Sequence, residues 1–173
     1  MGVKDLQQFI ETHCPNACVS VDLLRLARGI AVAKKRAGRD DHFALLVDGE
    51  SCLDRLYGGY FSDWICGGQW NRMLQFLAVL VQTCYQNGAI ELVVFFNGAV
   101  EQQRMREYAK TQTEMRRKIN QVLKHVHNKG TPPPKIWWVP PTGLRTAIRL
   151  ALQHLGVHVA CTVNDHHQEV III

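Results

Sequence analysis

The sequence predicts an α/β domain in which a mostly parallel sheet is flanked by helices. Two short apolar runs, 43–47 and 90–96, end on a polar residue that is followed by glycine: Asp48 in the first run and Asn97 in the second. Runs this short and this apolar are typical of buried strands in parallel sheets. Longer segments with apolar residues at helical spacing lie between and after them, and this alternation is the pattern of βαβ units.

Composition indicates one globular domain over residues 1–173. The chain is 47% hydrophobic, enough for a real core. No apolar run approaches the roughly eighteen residues that a membrane span needs, and the first residues are too polar to open a secretory signal. We therefore expect an intracellular protein of the nucleus or the cytoplasm, with no membrane span.

Helices and strands can be placed in order from the spacing of apolar residues. The predicted helices are 4–12, 21–33, 73–84, 102–126 and 144–155. The predicted strands are 43–48, 90–96, 135–139 and 156–161, the first of them buried on both faces. A loop at 58–70 holds four glycines and four aromatic residues. We interpret it as a packed loop and take Tyr60, Trp64 and Trp70 as candidates for a protein contact.

The longest predicted helix, within about residues 101–127, combines an apolar arc with a basic face. The apolar arc contains Met105, Tyr108, Ala109, Met115, Ile119, Val122, Leu123 and Val126. The basic face is formed by Arg106, Lys110, Arg117 and Lys124. Residues 101–130 carry a net charge equal to the +5 of the whole chain, so the basicity is local. Such a face can contact phosphates of a nucleic acid such as RNA; a solvated helix face is the alternative.

A proline-rich connector, residues 131–134, ends this helix. Pro132, Pro133 and Pro134 cannot donate backbone hydrogen bonds, and such a run tends to polyproline II. The run is a candidate for a protein contact, and a stiff connector is the interpretation we favour.

The cysteines and the late acidic cluster are the candidates for metal ligands. The six cysteines are interpreted as reduced and buried. Cys14 and Cys18 beside His13 resemble half of a zinc site, but no second ligand pair follows, so a core role is favoured. On a helix Asp165 and Glu169 would share a face and could hold a divalent cation; a capped helix start is favoured instead.

Several motifs resemble two known families. The strands ending in Asp48 and Asn97, with a long basic helix after the second, are similar to the N-terminal region of the flap-endonuclease/XPG nucleases, which have a PIN-like fold. More specific stretches resemble the constitutive coactivators of PPAR-gamma. These stretches are Leu-Tyr-Gly-Gly-Tyr at 56–60, Gly-Gly-Gln-Trp at 67–70, His-Asn-Lys-Gly-Thr-Pro-Pro-Pro-Lys at 127–135 and Asp-His-His-Gln-Glu-Val at 165–170.

The nuclease resemblance implies a metal site that this chain has largely lost. Asp48 and Glu169 match two of the metal-binding carboxylates, whereas Asn97 and His167 replace two others. A neutral amide and an imidazole do not supply the charge that two hard cations require. We therefore expect a vestigial site with no catalysis, metal or cofactor.

The remaining implications concern nucleic acid, partners and completeness. Arg104 matches one of the two basic residues that nucleases place after the second aspartate, and Thr111 replaces the other.

The coactivator resemblance implies a scaffold with signalling or transcription partners and an association with RNA. Because the next aspartate-bearing strand of the nucleases would follow residue 173, we expect a partial domain. The alternative is a magnesium-dependent, structure-specific nuclease that uses Asp48, Asp165 and Glu169.

Overall fold

The computed structural model describes residues 6–38, 43–59, 64, 67–87, 90–98, 100 and 102–162. Its main elements in chain order are α1 (Leu6–His13), α2 (Leu23–Arg36), β1 (Phe43–Asp48), α3 (Leu53–Leu56), α4 (Trp70–Gln82), β2 (Ile90–Phe96), α5 (Met105–Lys129), α6 (Leu144–His154) and β3 (His158–Cys161). A π-helical turn, Thr83–Asn87, extends α4. Among the described helices, none is both long enough and apolar enough to cross a bilayer.

The described strands form one parallel sheet in the order β1-β2-β3. Phe43 pairs with Ile90, and Val93 pairs with His158. Both connections step in the same direction across the sheet, so the right-handed crossover rule places α4 and α6 on the same face. The predicted parallel α/β architecture is confirmed at this level.

The core lies between that face of the sheet and the two crossover helices. Its buried side chains from the sheet are Ile90, Leu92, Val94 and Phe96, and those from the helices are Met73, Leu77, Val81, Leu144, Ile148, Ala151 and Leu152. On each helix these residues follow one another mostly at intervals of three or four positions, so they form the single apolar stripe that the sequence predicts. Leu77, Ile148 and Leu152 have no exposed surface.

The first strand is buried on one face only, so its prediction as a fully buried strand was wrong. Phe43, Leu45 and Val47 pack against the core, whereas Ala44 and Leu46 on the opposite face are exposed, Leu46 by 42%. Among the described strands β1 is at the edge of the sheet. An edge strand with helices on one side needs only alternate apolar residues.

The predicted strand at 135–139 is also wrong. Lys135–Trp137 form a turn of 3-10 helix, and Ile136 is 77% exposed. Prolines stand on both sides of this segment and cannot donate to a ladder, which explains why it does not join the sheet. Its aromatic residues pack as side chains instead: the Trp138 ring lies 5.3 Å from that of Tyr57.

The long helix is confirmed, but its apolar arc is largely exposed. Of its 25 residues only Val122 is buried, while Met115 and His125 are half-buried. Its contacts with the rest of the domain include the His125 ring, which meets the Trp137 ring edge-on at 5.4 Å. The helix ends at Gly130, whose φ of 59° is the left-handed conformation that glycine adopts readily.

The described cysteines differ in burial, so the prediction of buried thiols is only partly right: Cys52 is half-buried, and Cys66 lies outside the described residues. Cys84 is buried, and desolvation raises the pKa of its thiol. Cys14, Cys18 and Cys161 are exposed. The first two lie between α1 and α2, outside the core, and Cys161 ends β3, which is at the edge of the sheet among the described strands.

Candidate functional site: a polar cleft at the carboxyl edge of the sheet

Asp48 ends β1 and organises the turn that follows. Its Oδ1 accepts hydrogen bonds from the backbone N–H groups of Glu50 and Ser51, both at 3.0 Å. Its Oδ2 accepts one from the Ser51 hydroxyl at 2.6 Å. An aspartate with these local bonds stabilises the start of a helical turn. The predicted metal-site carboxylate is therefore already engaged by donors from its own turn.

Gly49 allows this turn to lie directly against β2. Its N–H donates to the Phe95 carbonyl oxygen at 2.8 Å. An added Cβ would lie 2.7 Å from two carbons of the Phe96 ring and 2.8 Å from the same carbonyl oxygen. Real Cβ atoms do not approach so closely, so only glycine fits without displacement of the core.

Glu50 joins the ends of β1, β2 and α6. Its Oε1 accepts a hydrogen bond from the Asn97 N–H at 3.2 Å, and the Arg145 Nε lies 2.7 Å from the same oxygen. The Nε finds no well-directed hydrogen-bond acceptor among the described residues, so we interpret this short contact as a charge–charge interaction. The carboxylate side chain is 23% exposed and the guanidinium side chain 39%. A cation and an anion thus meet where parallel α/β domains place their ligands.

A cleft of about 330 Å³ opens beside this ion pair. Its lining includes Glu50, Asn97 and Arg145, together with Arg104, which directly precedes α5, and Tyr108 in the first turn of α5. Arg104 is close to Glu107, with 3.7 Å between Nε and Oε2. The cleft therefore contains two cations, each beside a carboxylate, together with neutral amide and hydroxyl groups.

The structure brings some of the predicted site residues together and separates others. Asp48, Asn97 and Arg104 lie around the carboxyl edge of the sheet. The basic-face residues are all exposed along α5, and none of their side chains forms an ion pair or hydrogen bond with another described residue: Arg106, Lys110, Arg117 and Lys124. Their role in binding RNA stays a prediction.

The described aromatic and proline candidates differ in exposure, and their role in a protein contact stays a prediction. Trp64 and Trp70 are half-buried and pack against the core. The Trp64 ring meets that of Trp138 edge-on, at 6.2 Å. In the proline run, the first and third residues are exposed and Pro133 is buried.

Tyr60, Asp165, His167 and Glu169 lie outside the described residues. Within the part of the chain that the structure describes, no three His, Cys, Asp or Glu side chains lie close enough together to hold a metal ion. His13, the neighbour of Cys14, stacks on Phe9 at 4.6 Å.

Glu50 and Arg145 are the site residues that sequence reasoning missed. Glu50 follows Asp48 by two positions, but spacing alone assigns it no partner. One feature of the sequence could have identified Arg145: it lies in the first turn of α6, and that turn contains no acidic residue. A cation there opposes the helix dipole and indicates a nearby carboxylate.

Fold and site together define a parallel α/β domain with a polar cleft at the carboxyl edge of its sheet. Comparison with known proteins adds the family. The chain is 52% identical over 173 residues to the Constitutive coactivator of PPAR-gamma-like protein 1 of Bos taurus, a match that covers 99% of this chain and 15% of the relative. Its identity to the human protein of that name is 51% over 172 residues, with the same coverage.

A more distant relative is the human Constitutive coactivator of peroxisome proliferator-activated receptor gamma, 31% identical over 170 residues, 98% of this chain and 18% of the relative. The chain therefore belongs, over the length given, to the family of constitutive coactivators of PPAR-gamma. It spans about 15% of the length of the two PPAR-gamma-like protein 1 relatives. No protein-family model and no solved structure matches it.

Proposed function

We propose that this chain is a non-catalytic, nuclease-like domain that works by binding other proteins within a coactivator or scaffold. The observation that carries the proposal is the Arg145 guanidinium, 2.7 Å from the Glu50 carboxylate at the carboxyl edge of the sheet. This is the region where the resemblance to PIN-like nucleases puts their metal ions. A fixed cation in that place repels a second one.

Charge explains why this arrangement is unfavourable for metal-dependent hydrolysis. A divalent ion about 5 Å from a guanidinium is repelled by roughly 7 kcal/mol at an effective dielectric constant of about 20, before solvent screening reduces it. Asn97 contributes no negative charge, and Asp48 already accepts three local hydrogen bonds. Two-metal chemistry needs an anionic cluster, and the described residues do not supply one.

The names of the relatives support the protein-binding half of the proposal. They are called coactivators of a nuclear receptor, and a coactivator acts through protein contacts. We therefore propose that the chain acts in the nucleus with components of transcription. Work in the cytoplasm as a signalling scaffold is the alternative that the resemblance leaves open.

The test is a comparison of the unmodified chain with a variant whose site is rebuilt. Calorimetry with Mg²⁺ and Mn²⁺ should show no saturable site in the unmodified chain, and flap-shaped and single-stranded substrates should survive incubation with either ion. Asn97→Asp with Arg145→Gln removes the cation and adds an anion, so we expect Mn²⁺ affinity to increase in the double variant. Metal-dependent cleavage by the unmodified chain that Asp48→Ala abolishes would establish the nuclease alternative.

RNA binding without cleavage is a second candidate function. The observation that favours it is the basic face of α5, where Arg106, Lys110, Arg117 and Lys124 are exposed and not neutralised by described side chains. Cations spaced along a helix can meet successive phosphates, which gives salt-dependent binding with little base preference.

A further inference from the structure

The apolar arc of α5 follows a pattern more specific than amphipathicity. Seven positions, spaced alternately three and four apart, form what we call the α5 seam: Met105, Tyr108, Gln112, Met115, Ile119, Val122 and Val126. Six of the seven are apolar or aromatic. This is the a/d spacing of a coiled coil, continued over three heptads with one polar position at Gln112.

The domain covers part of the α5 seam: Tyr108 and Gln112 line the polar cleft, and His125 beside the seam packs on Trp137. Val122 is buried and Met115 half-buried, but Met105 is 49% exposed, Tyr108 45% and Ile119 37%. Leu123, next to the seam at an e position, is 60% exposed. The side chains that remain exposed, Met105, Ile119 and Leu123 above all, leave apolar surface for one more helix, since a coiled-coil partner packs onto a seam of this spacing.

The charges beside the seam determine which helix fits. Its e positions are Ala109, Arg116 and Leu123, and its g positions are Thr111, Lys118 and His125. Neither set contains a carboxylate, and Arg116 and Lys118 are exposed without an ion-pair partner among the described residues. With seven basic and two acidic side chains, α5 carries the same +5 as the whole chain.

We infer that the α5 seam binds an acidic amphipathic helix of a partner protein, with apolar residues at its a and d positions and Glu or Asp at e and g. The inference rests on the proposed function, for which it names a class of partner. A second copy of the chain brings no carboxylate to the e and g positions, so it forms no interhelical ion pair there. A bilayer suits the seam poorly, because the basic face lies roughly opposite it, at about 100° per residue, and would point away from anionic lipids.

The experiment measures binding of two synthetic three-heptad peptides by fluorescence anisotropy at about 0.15 M salt. Both peptides have Ile at a and Leu at d; one has Glu at all e and g positions and the other has Lys. We expect the Glu peptide to bind at least tenfold more tightly than the Lys peptide. Ile119→Gln with Leu123→Gln should weaken binding of the Glu peptide about tenfold or more, because it removes the central apolar contacts.

A matched pair of charge variants separates docking at the seam from general attraction. Arg116→Gln with Lys118→Gln removes two charges beside the seam and should weaken Glu-peptide binding about three- to tenfold. Lys110→Gln with Arg117→Gln removes the same charge from the basic face and should change binding less than twofold, since those side chains lie beyond one screening length of about 8 Å from the peptide. Circular dichroism and thermal unfolding check that each variant is folded, which the exposure of all six positions favours.

Several results would overturn the inference. One is equal binding of the Glu and Lys peptides; another is an equal loss in the two charge variants. Binding to phosphatidylserine vesicles, or dimerisation in sedimentation, that disappears in the seam variant would assign the seam to a membrane or to a second copy instead. None of these results depends on the metal and nuclease assays, so failure here is distinguishable from failure of the non-catalytic proposal.

Discussion

The ion pair between Glu50 and Arg145 makes the first prediction, because it should be measurable as a coupling free energy. The perturbations are Glu50→Gln, Arg145→Gln and the double variant. Gln at position 50 keeps an oxygen that can accept the 3.2 Å hydrogen bond from the Asn97 N–H, so the change removes charge alone. The side chains are 23% and 39% exposed, and this partial exposure puts the pair near the upper end of the range for solvent-exposed pairs. We expect a coupling of about 0.5–1 kcal/mol at low salt.

The assay is urea unfolding of the unmodified chain and the three variants, combined as a double-mutant cycle. In about 1 M salt, where the screening length is about 3 Å, the coupling should decrease by half or more. The control is Arg104 with Glu107, a pair at 3.7 Å whose side chains are 41% and 54% exposed and whose coupling should be smaller, about 0.3 kcal/mol. A coupling for Glu50 and Arg145 that equals zero within error at low salt, or that does not exceed the control, would refute the argument that this contact stabilises the carboxyl edge.

Three further predictions test the core, the basic face and the thiols. Leu77→Ala should lower the free energy of unfolding by about 2–5 kcal/mol because Leu77 is fully buried, whereas Leu123→Ala, at a position that is 60% exposed, should lower it by less than about 0.5 kcal/mol; equal losses would contradict the assigned packing. Gln should replace all four residues of the basic face together: Arg106, Lys110, Arg117 and Lys124. The slope of log affinity against log salt concentration for single-stranded RNA should then decrease by about 0.7 per lost phosphate contact. An unchanged slope would show that this face is solvated and does not contact RNA. Cys161 should react with iodoacetamide at neutral pH much faster than Cys84, whose thiol is buried and has a raised pKa. The measurement is mass spectrometry after a short alkylation, and faster labelling of Cys84 would contradict the prediction.

The parts of the fold that the sequence predicted are those governed by local pattern. Apolar runs located β1 and β2, and their parallel pairing puts Asp48 opposite Phe95, close to Asn97. This proximity follows from chain direction alone, since parallel strands end at the same edge. The helices α4 and α6 were equally predictable, because each has one apolar stripe that must be buried.

The failures arise where tertiary context decides. The segment 135–139 has the composition of a strand, but flanking prolines and the packing of Trp138 on Tyr57 give it another role. The contact between Glu50 and Arg145 joins the turn after β1 to the first turn of α6, nearly a hundred residues later, and no spacing rule connects them. In the same way, periodicity shows that α5 has an apolar arc but not how much of that arc the domain covers.

The orientation of α5 also bears on catalysis. Glu107, Tyr108, Thr111 and Gln112 line the cleft, so this side of the helix faces the carboxyl edge of the sheet. At about 100° per residue, the basic face formed by Arg106, Lys110, Arg117 and Lys124 is centred roughly 155° away. A nucleic acid held by those four cations would lie across the helix from the cleft, and its phosphodiester bonds would not be positioned beside Asp48 or Asn97. Because hydrolysis requires the reacting phosphate to be held within about 1 Å of its productive position, RNA binding at the basic face and cleavage at the cleft are geometrically separate. Evidence of RNA binding would therefore leave the non-catalytic proposal intact.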